Sequence, residues 1–217
     1  MRCLPLPLLA AALLLSACAD ATEPEVRPST EAPMSTDAPG EPGTLGADNI
    51  RVPESPDGAV TGTFLPYTPG AAAVTYDPAA VPPGATAQVH IRPAGTGITV
   101  RLTAAGMVPR RAYGAHLHRR PCSAAPDAAG PHYQHRPDPK AAASPPSVDA
   151  DYANPRNEVW LDFTADAAGA ATVTAAHPAF DRATAPRSLV LHGSLTRTAD
   201  GEAGTAGPRV ACLTLPA

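Results

Sequence analysis

The sequence has only one lysine, Lys140, among its 16 basic residues, and 4% of its 217 residues are aromatic. The formal net charge of -4 excludes a globally basic nucleic-acid-binding protein. Only one apolar run, residues 4–15, is long enough to be considered for insertion into a membrane, so no internal transmembrane helix is predicted. Glycine-rich phosphate loops, nucleophile elbows and paired catalytic carboxylates are also missing. A zinc hydrolase is disfavoured, because no glutamate lies beside the histidines in a motif that activates water.

The composition favours one ordered domain together with disordered sequence. Hydrophobic residues make up 44% of the chain, which is enough to bury one core. The 28 prolines and 17 glycines argue against uniform helical packing.

Residues 1–17 have the order of a secretory signal peptide, with Arg2 followed by an apolar run and then small residues. The four residues Leu15-Ser16-Ala17-Cys18 resemble the bacterial lipobox, which predicts cleavage before Cys18 and attachment of lipid to that cysteine. Ordinary cleavage nearby is the alternative. A lipidated Cys18 would hold the protein at a membrane surface without a spanning helix.

Residues 18–70 are predicted to be a disordered tether. The first part of this segment is rich in Pro, Thr, Ser, Glu and Ala and has no sustained apolar period. Residues 18–57 carry nine acids and two arginines, net -7, whereas residues 58–217 carry 11 acids and 13 bases, net +2. The acidity therefore belongs to the tether, and the domain is mildly basic.

Residues 71–217 are predicted to form an all-β domain. Eight short runs of apolar or alternating residues, each bounded by Gly, Pro, Asp or Asn, have the length of strands. Such spacing predicts an eight-stranded antiparallel sandwich or barrel with long loops. The runs are AAAVTYD, ATAQVHIRP, GITVRLTAA, AYGAHLH, VWLDFTAD, AATVTAAH, SLVLHG and RVACLTL.

Two of the four cysteines are expected to form a disulfide. Cys3 leaves with the signal and Cys18 takes lipid, so Cys122 and Cys212 remain in an exported, oxidising compartment. A bridge between Cys122 and Cys212 closes a loop of about 90 residues, which would stabilise the fold by about 4–5 kcal/mol on the chain-entropy model. It would also fix the segment after His118 to the last predicted strand.

Four of the seven histidines form a pattern that predicts a metal site. His116 and His118 are two residues apart in a predicted strand, so both side chains point to the same face. His132 lies in the long proline-rich segment 124–155, and His192 ends an apolar strand. Four imidazoles from separate segments suit copper. Taken singly, a His-x-His pair is more often a surface pair, and a lone histidine is usually a turn or core residue.

Four blocks of sequence resemble the copper/zinc superoxide dismutase family in the same order: GAHLHRRPC, AGPHYQH, SLVLHG and GTAGPRVACLTL. The resemblance covers about residues 71–217 and implies an eight-stranded Greek-key barrel. It further implies copper ligands, a disulfide and an active-site arginine, which carry over to His116, His118, His132 and His192, to Cys122 and Cys212, and to Arg209. An ordinary surface arginine is the alternative for Arg209.

The sequence departs from this family in the zinc subsite. The only later histidine of the long loop is His135, and the segment PRNEVWLDF contains none. The segment after His192 also lacks the paired aspartates that link the two metals in the family. These departures predict a copper-only variant without zinc. His132 would then need another acceptor for its outer nitrogen, and Glu158 is predicted in that role, with Asp162 as the next choice. A solvated acid at a strand edge is the alternative for Glu158.

The predicted activity is dismutation of superoxide to oxygen and hydrogen peroxide at the cell surface or in the periplasm. His132 would carry a proton, and Arg209 would attract the anion. Four arginines bracket the His-x-His strand and could add positive potential, although solvated arginines at strand ends are the default interpretation. They are Arg110, Arg111, Arg119 and Arg120.

The principal rival is a copper-storage module on the same fold, which would not need Arg209. The remaining histidines, His90 and His177, are expected to be structural or exposed. Trp160, the only tryptophan, is expected to pack where the long loop meets the barrel. The expected partners are superoxide and a membrane, to which the protein would be attached only by its lipid anchor. No nucleic-acid partner is expected. The sequence gives no indication of the oligomeric state.

Overall fold

A computed structural model of the protein describes residues 58–142 and 146–216. The predicted signal peptide, Cys18 and the first part of the predicted tether lie outside these residues. No helix in the described part of the chain is both long and apolar enough to cross a membrane.

The described residues form nine strands in two antiparallel sheets. One sheet has the order β1-β3-β4-β7, and the other has the order β2-β9-β8-β5-β6. Because β4 pairs with β7 and β5 pairs with β8, the chain crosses between the sheets instead of forming hairpins alone. The strands are β1 (Ala59–Thr63), β2 (Ala73–Thr75), β3 (Thr86–Ala94), β4 (Gly97–Ala105), β5 (Ala112–His118), β6 (Phe163–Thr164), β7 (Ala171–Pro178), β8 (Ser188–His192) and β9 (Arg209–Thr214).

The core lies between the two sheets and is built by residues that alternate along the strands. In β4, Val100, Leu102 and Ala104 are buried whereas Arg101 is exposed. In β5, Leu117 contributes to the same core, where it joins Leu189 of β8. Side chains on the other face of β5 point away from this core, and loops cover them.

The predicted all-β antiparallel fold is confirmed, and each of the eight predicted runs overlaps one of the strands β2–β9. Strand β1 lies before residue 71, within the segment predicted to be a tether, and pairs along its whole length with β3. This strand has few apolar residues, but Ala59 and Val60 are buried against the core. The sequence of β1 alternates too weakly to stand out from the polar segment before it.

The predicted disulfide between Cys122 and Cys212 is present, with the two Cα atoms 5.7 Å apart. It ties the start of the long loop that follows β5 to the middle of β9. A short 3-10 helix, Pro126–Ala129, follows in this loop and packs against β9. The loop is thus held close to the face of β5 that carries His116 and His118.

Candidate metal centre

The second sheet and the long loop bring four histidines together. His116 and His118 lie on one face of β5, since residues two apart in a strand share a face. His192 ends the neighbouring strand β8, where it pairs with Gly114. The long loop contributes His132, which forms an isolated bridge with His118.

These four residues are called the histidine cluster below. One ring nitrogen of each histidine lies within 4.8 Å of the corresponding nitrogen of every other. His116, His118 and His192 are buried, and His132 is partly exposed. Within residues 58–142 and 146–216, this is the one group of three or more His, Cys, Asp or Glu side chains placed to hold a metal ion. The sequence predicted this set.

In three of the histidines Nδ1 is engaged outside the cluster, which leaves Nε2 to face its centre. His118 Nδ1 lies 2.9 Å from the carbonyl oxygen of Gly130. His132 Nδ1 is 2.7 Å from Glu158 Oε2, and His192 Nδ1 is 3.3 Å from the carbonyl oxygen of Gly207. Since carbonyl and carboxylate oxygens only accept, each Nδ1 carries a proton, and Nε2 of a neutral ring then presents a lone pair.

His116 is oriented the other way round. Its Nε2 lies 2.6 Å from Thr196 Oγ1, and its Nδ1 is buried with no hydrogen-bond partner. A buried polar atom without a partner is costly, so it calls for an explanation. A metal ion bound by the cluster would supply the missing partner. The residues present therefore fit a metal ion ligated by three Nε2 atoms and one Nδ1 atom.

The buried histidines are neutral at physiological pH. Burial holds the pKa of His116 and the pKa of His118 well below the ordinary value. A positive charge on the neighbouring histidines would lower both pKa values further. Burial and the neighbouring His132 lower the pKa of His192 to about 3. A neutral imidazole is the form that binds a metal, so these three ligands need lose no proton at neutral pH.

Glu158 is buried behind His132 and is held by three donors. Its Oε2 accepts from His132 Nδ1 and from Trp160 Nε1, each at 2.7 Å. Its Oε1 accepts from Gln134 Nε2 at 2.9 Å. The side chain of Glu158 is only 2% exposed. The structure therefore places this carboxylate where the sequence predicted an acceptor for His132, and it does not place it at a solvated edge.

Arg209, at the start of β9, is held by the short helical segment of the long loop. Its Nη1 donates to the Pro126 carbonyl at 3.0 Å, and its Nη2 donates to the Gly130 carbonyl at 2.7 Å. Its Nε lies 3.7 Å from the exposed carboxylate of Asp127. The positive charge of Arg209 also helps to lower the pKa of His118 and of His192. This arginine is therefore close to the cluster and fixed in place.

Gly130, whose carbonyl joins Arg209 to His118, has a backbone conformation that favours glycine. Its φ is 75° and its ψ is -164°. Side chains with a Cβ rarely adopt this combination. A Cβ at this position would also lie 2.9 Å from Arg120 Nε.

Asp162 does not contact His132, for which it was the second-choice partner. It lies on the opposite side of the cluster, where its Oδ1 is 3.6 Å from His116 Nε2. Thr196, which bonds to both Asp162 and His116, was not identified from the sequence. It lies in a loop without periodicity and 80 residues from His116, so no local pattern marks it.

The remaining predicted residues lie outside the cluster. His135 and His177 lie next to each other, with ring centroids 5.8 Å apart, and His177 is buried against Tyr133 and Phe180. Trp160 packs beside the histidine cluster, and its ring centroid is 5.9 Å from that of His116.

No known protein family matches the sequence, and no curated protein matches it either. Among solved structures, the fold is similar to that of the Cu/Zn superoxide dismutase from Brucella abortus. The two sequences are 20% identical, and the TM-score is 0.45 over 73% of this chain and 99% of that chain. A likeness this distant assigns no activity, which has to be inferred from the histidine cluster itself.

Proposed function

We propose that the histidine cluster binds copper and that the protein dismutates superoxide to oxygen and hydrogen peroxide. The observation that carries the proposal is the convergence of four imidazoles, one of them with a buried Nδ1 that has no hydrogen-bond partner, next to a fixed arginine. Four nitrogen ligands suit the tetragonal geometry of Cu(II), and copper is the divalent ion that such sites bind most tightly.

Bound copper would supply one-electron chemistry, by which one superoxide is oxidised to oxygen and a second is reduced to peroxide. Arg209 would attract and orient the anion, since a fixed cation at a partly enclosed site raises the local concentration of an anionic substrate. Two carbonyl groups hold its guanidinium, so the side chain is already ordered before the substrate arrives.

His132 is the member of the cluster best placed to move a proton. Its side chain is 11% exposed, whereas that of His116 is fully buried. Its Nδ1 remains bonded to Glu158, so a proton can be taken up and released only at Nε2. That proton would pass to the reduced oxygen product. Glu158 would keep the ring in place during this exchange.

We further propose that the centre works without zinc and that the protein is exported. The carboxylate of Glu158 would take the place of a second metal on the outer nitrogen of His132. The disulfide is typical of an oxidising compartment. Together with the predicted lipidation of Cys18, it favours a lipoprotein on the extracytoplasmic face of a membrane.

Copper storage on the same fold is the second candidate. The deep burial of His116 and His118 would suit retention of an ion. Arg209 favours the enzyme, because storage of a cation gains nothing from a second positive charge near the site.

The two functions are separated by measuring superoxide decay by stopped-flow absorbance. Copper-loaded wild-type protein should accelerate the decay far above the metal-free protein, and His192→Ala should abolish the acceleration. The matched control is His90→Ala, which changes a histidine outside the cluster. Tight copper binding without dismutation, and with no further change in His192→Ala, would overturn the enzymatic proposal in favour of storage.

A further inference from the structure

Thr196 and Asp162 form a hydrogen-bonded chain that ends on His116. Thr196 Oγ1 lies 2.6 Å from His116 Nε2 and 2.8 Å from Asp162 Oδ1. The backbone N–H of Thr196 donates to Asp162 Oδ2 at 2.7 Å. Asp162 Oδ1 also accepts from the backbone N–H of Ala115, the residue before His116. Both carboxylate oxygens are thus engaged.

The chemistry of these groups fixes the direction of each hydrogen bond. An ionised carboxylate only accepts, so the hydroxyl proton of Thr196 must point to Asp162. The hydroxyl oxygen is then left with lone pairs towards His116. The proton of the shorter contact must therefore come from His116 Nε2.

This direction determines the tautomer of His116. With its proton on Nε2, the neutral ring has a lone pair on Nδ1, the buried atom without a partner. The other tautomer would carry the proton on Nδ1, inside the cluster, and would block that position to a metal ion. Binding of a metal ion would then need little rearrangement of His116, because Thr196 and Asp162 already hold its ring in the tautomer that can ligate.

We propose that Thr196 and Asp162 are positioning residues that hold His116 in the tautomer able to bind the metal ion. The identity of the ion as copper rests on the proposed function, whereas the tautomer itself does not. Thr196 belongs to the connection between β8 and β9, so this loop would control one ligand of the site from outside. Gly204 of the same loop lies beside the hydrogen bond between Glu158 and His132. A Cβ at Gly204 would be 3.8 Å from Glu158 Oε2 and 3.8 Å from His132 Nδ1.

The metal-free protein tests the tautomer directly. Nitrogen-15 chemical shifts distinguish a protonated from an unprotonated ring nitrogen, so they report the tautomer of His116. Wild-type protein should show the proton on Nε2 alone. Thr196→Val, which keeps the shape but removes the hydroxyl, should give a mixture of tautomers or the reverse one. Thr196→Ser should retain the wild-type pattern, as should Thr198→Val in the same loop.

Copper affinity gives a second readout. Trp160 is the only tryptophan and lies near His116, so quenching of its fluorescence can follow a competitive copper titration. Thr196→Val should lower the affinity about 10- to 100-fold, the usual effect of removing a partner of a ligating histidine. Thr196→Ser and Thr198→Val should bind as the wild type does. Thermal unfolding of each metal-free variant checks that the domain remains folded.

A double-mutant cycle tests whether the two residues act in series. Asp162→Asn removes the charge that orients the hydroxyl, so it should also weaken copper binding. If Asp162 acts through Thr196, then the double variant Thr196→Val/Asp162→Asn should be no weaker than the worse single variant. Independent contributions would multiply instead.

The outcomes separate this inference from the proposed function. The inference fails if His116 of the folded Thr196→Val variant keeps the wild-type tautomer, or if copper affinity is the same in Thr196→Val as in the wild type. A wild-type protein that binds no copper overturns the proposed function, while the nitrogen-15 pattern still decides the tautomer. An effect of Asp162→Asn that multiplies with that of Thr196→Val also overturns the series arrangement.

Discussion

His118 and Arg209 hydrogen-bond to the same oxygen atom, the backbone carbonyl of Gly130. The two distances are 2.9 Å from His118 Nδ1 and 2.7 Å from Arg209 Nη2. One loop carbonyl therefore fixes both the ring of a candidate ligand and the candidate substrate-attracting cation. The disulfide holds this loop against β9, the strand that begins with Arg209.

Replacing Arg209 with Gln should reduce turnover much more than copper binding. The change removes the positive charge, which we expect to attract superoxide, and kcat/KM should fall by about 10-fold or more. Copper affinity should stay within a few-fold of the wild type, because Arg209 is not a ligand. Superoxide decay at several salt concentrations measures the effect, and salt should slow the wild type more than the variant.

Arg197→Gln is the matched control for this prediction. Arg197 is an exposed arginine that pairs with Glu202 in the connection between β8 and β9. Equal loss of kcat/KM in the two variants would mean that only the total charge matters. An unchanged kcat/KM in Arg209→Gln would remove the role assigned to this arginine.

Replacing Glu158 with Gln should weaken copper binding and slow turnover. The substitution removes the negative charge from the outer nitrogen of His132 and disturbs an acceptor shared by three donors. Loss of such a partner lowers metal affinity by about 10- to 100-fold. Competitive copper titration and superoxide decay measure the two effects. The surface change Glu202→Gln should alter neither, and the role of Glu158 is refuted if its variant behaves in the same way.

The stability of the metal-free protein should decrease as the pH is lowered from about 7 to 5. The folded-state pKa values of His116, His118 and His192 are below the ordinary value of about 6.5. In this window the unfolded chain binds more protons than the folded chain, so acid favours unfolding. Each histidine contributes up to about 1.4 kcal/mol per pH unit below 6.5.

Urea unfolding of the metal-free protein at pH 7, 6 and 5 checks this dependence. Above pH 5 most carboxylates remain ionised, so the slope reports mainly on histidines. His192→Gln removes one of the shifted groups and should make the slope shallower. A free energy of unfolding that is constant across this range would show that the buried histidines do not have lowered pKa values.

Reduction of the Cys122–Cys212 bridge should destabilise the fold by up to about 4–5 kcal/mol, the loop-closure value for a long loop. The bridge joins residues 90 positions apart. Because the same bridge holds the loop that bears Gly130, copper affinity should fall as well. Urea unfolding and copper titration with and without reductant, repeated on Cys122→Ser/Cys212→Ser, test this. Equal affinity in the oxidised and reduced proteins would show that the bridge does not support the site.

Most of the fold follows from the sequence because the core strands obey a simple period. Each of β2–β9 lies, to within one residue, in a run of apolar or alternating residues bounded by turn formers. Strand β1 was missed because Ala59 and Val60 are its only buried residues, and the rest of the strand reads like the polar segment before it.

The site was only partly predictable for a different reason. The histidine pair in β5 follows from strand geometry, whereas His132, His192 and Glu158 were predicted from the blocks of sequence that resemble a known family. Thr196 carries no such signal, because its role depends on the fold of an irregular loop. Asp162, which was only the second choice as a partner of His132, bonds to Thr196 beside His116, and sequence spacing does not reveal which side of a cluster a loop approaches.

Metal analysis of the purified protein, read together with its electron paramagnetic resonance spectrum, tests the central claim most directly. The account predicts one copper ion for each chain, no zinc, and a Cu(II) spectrum with hyperfine structure from nitrogen ligands that is lost in His116→Ala. A protein that takes up only zinc, or a copper spectrum that is unchanged in His116→Ala, would contradict it.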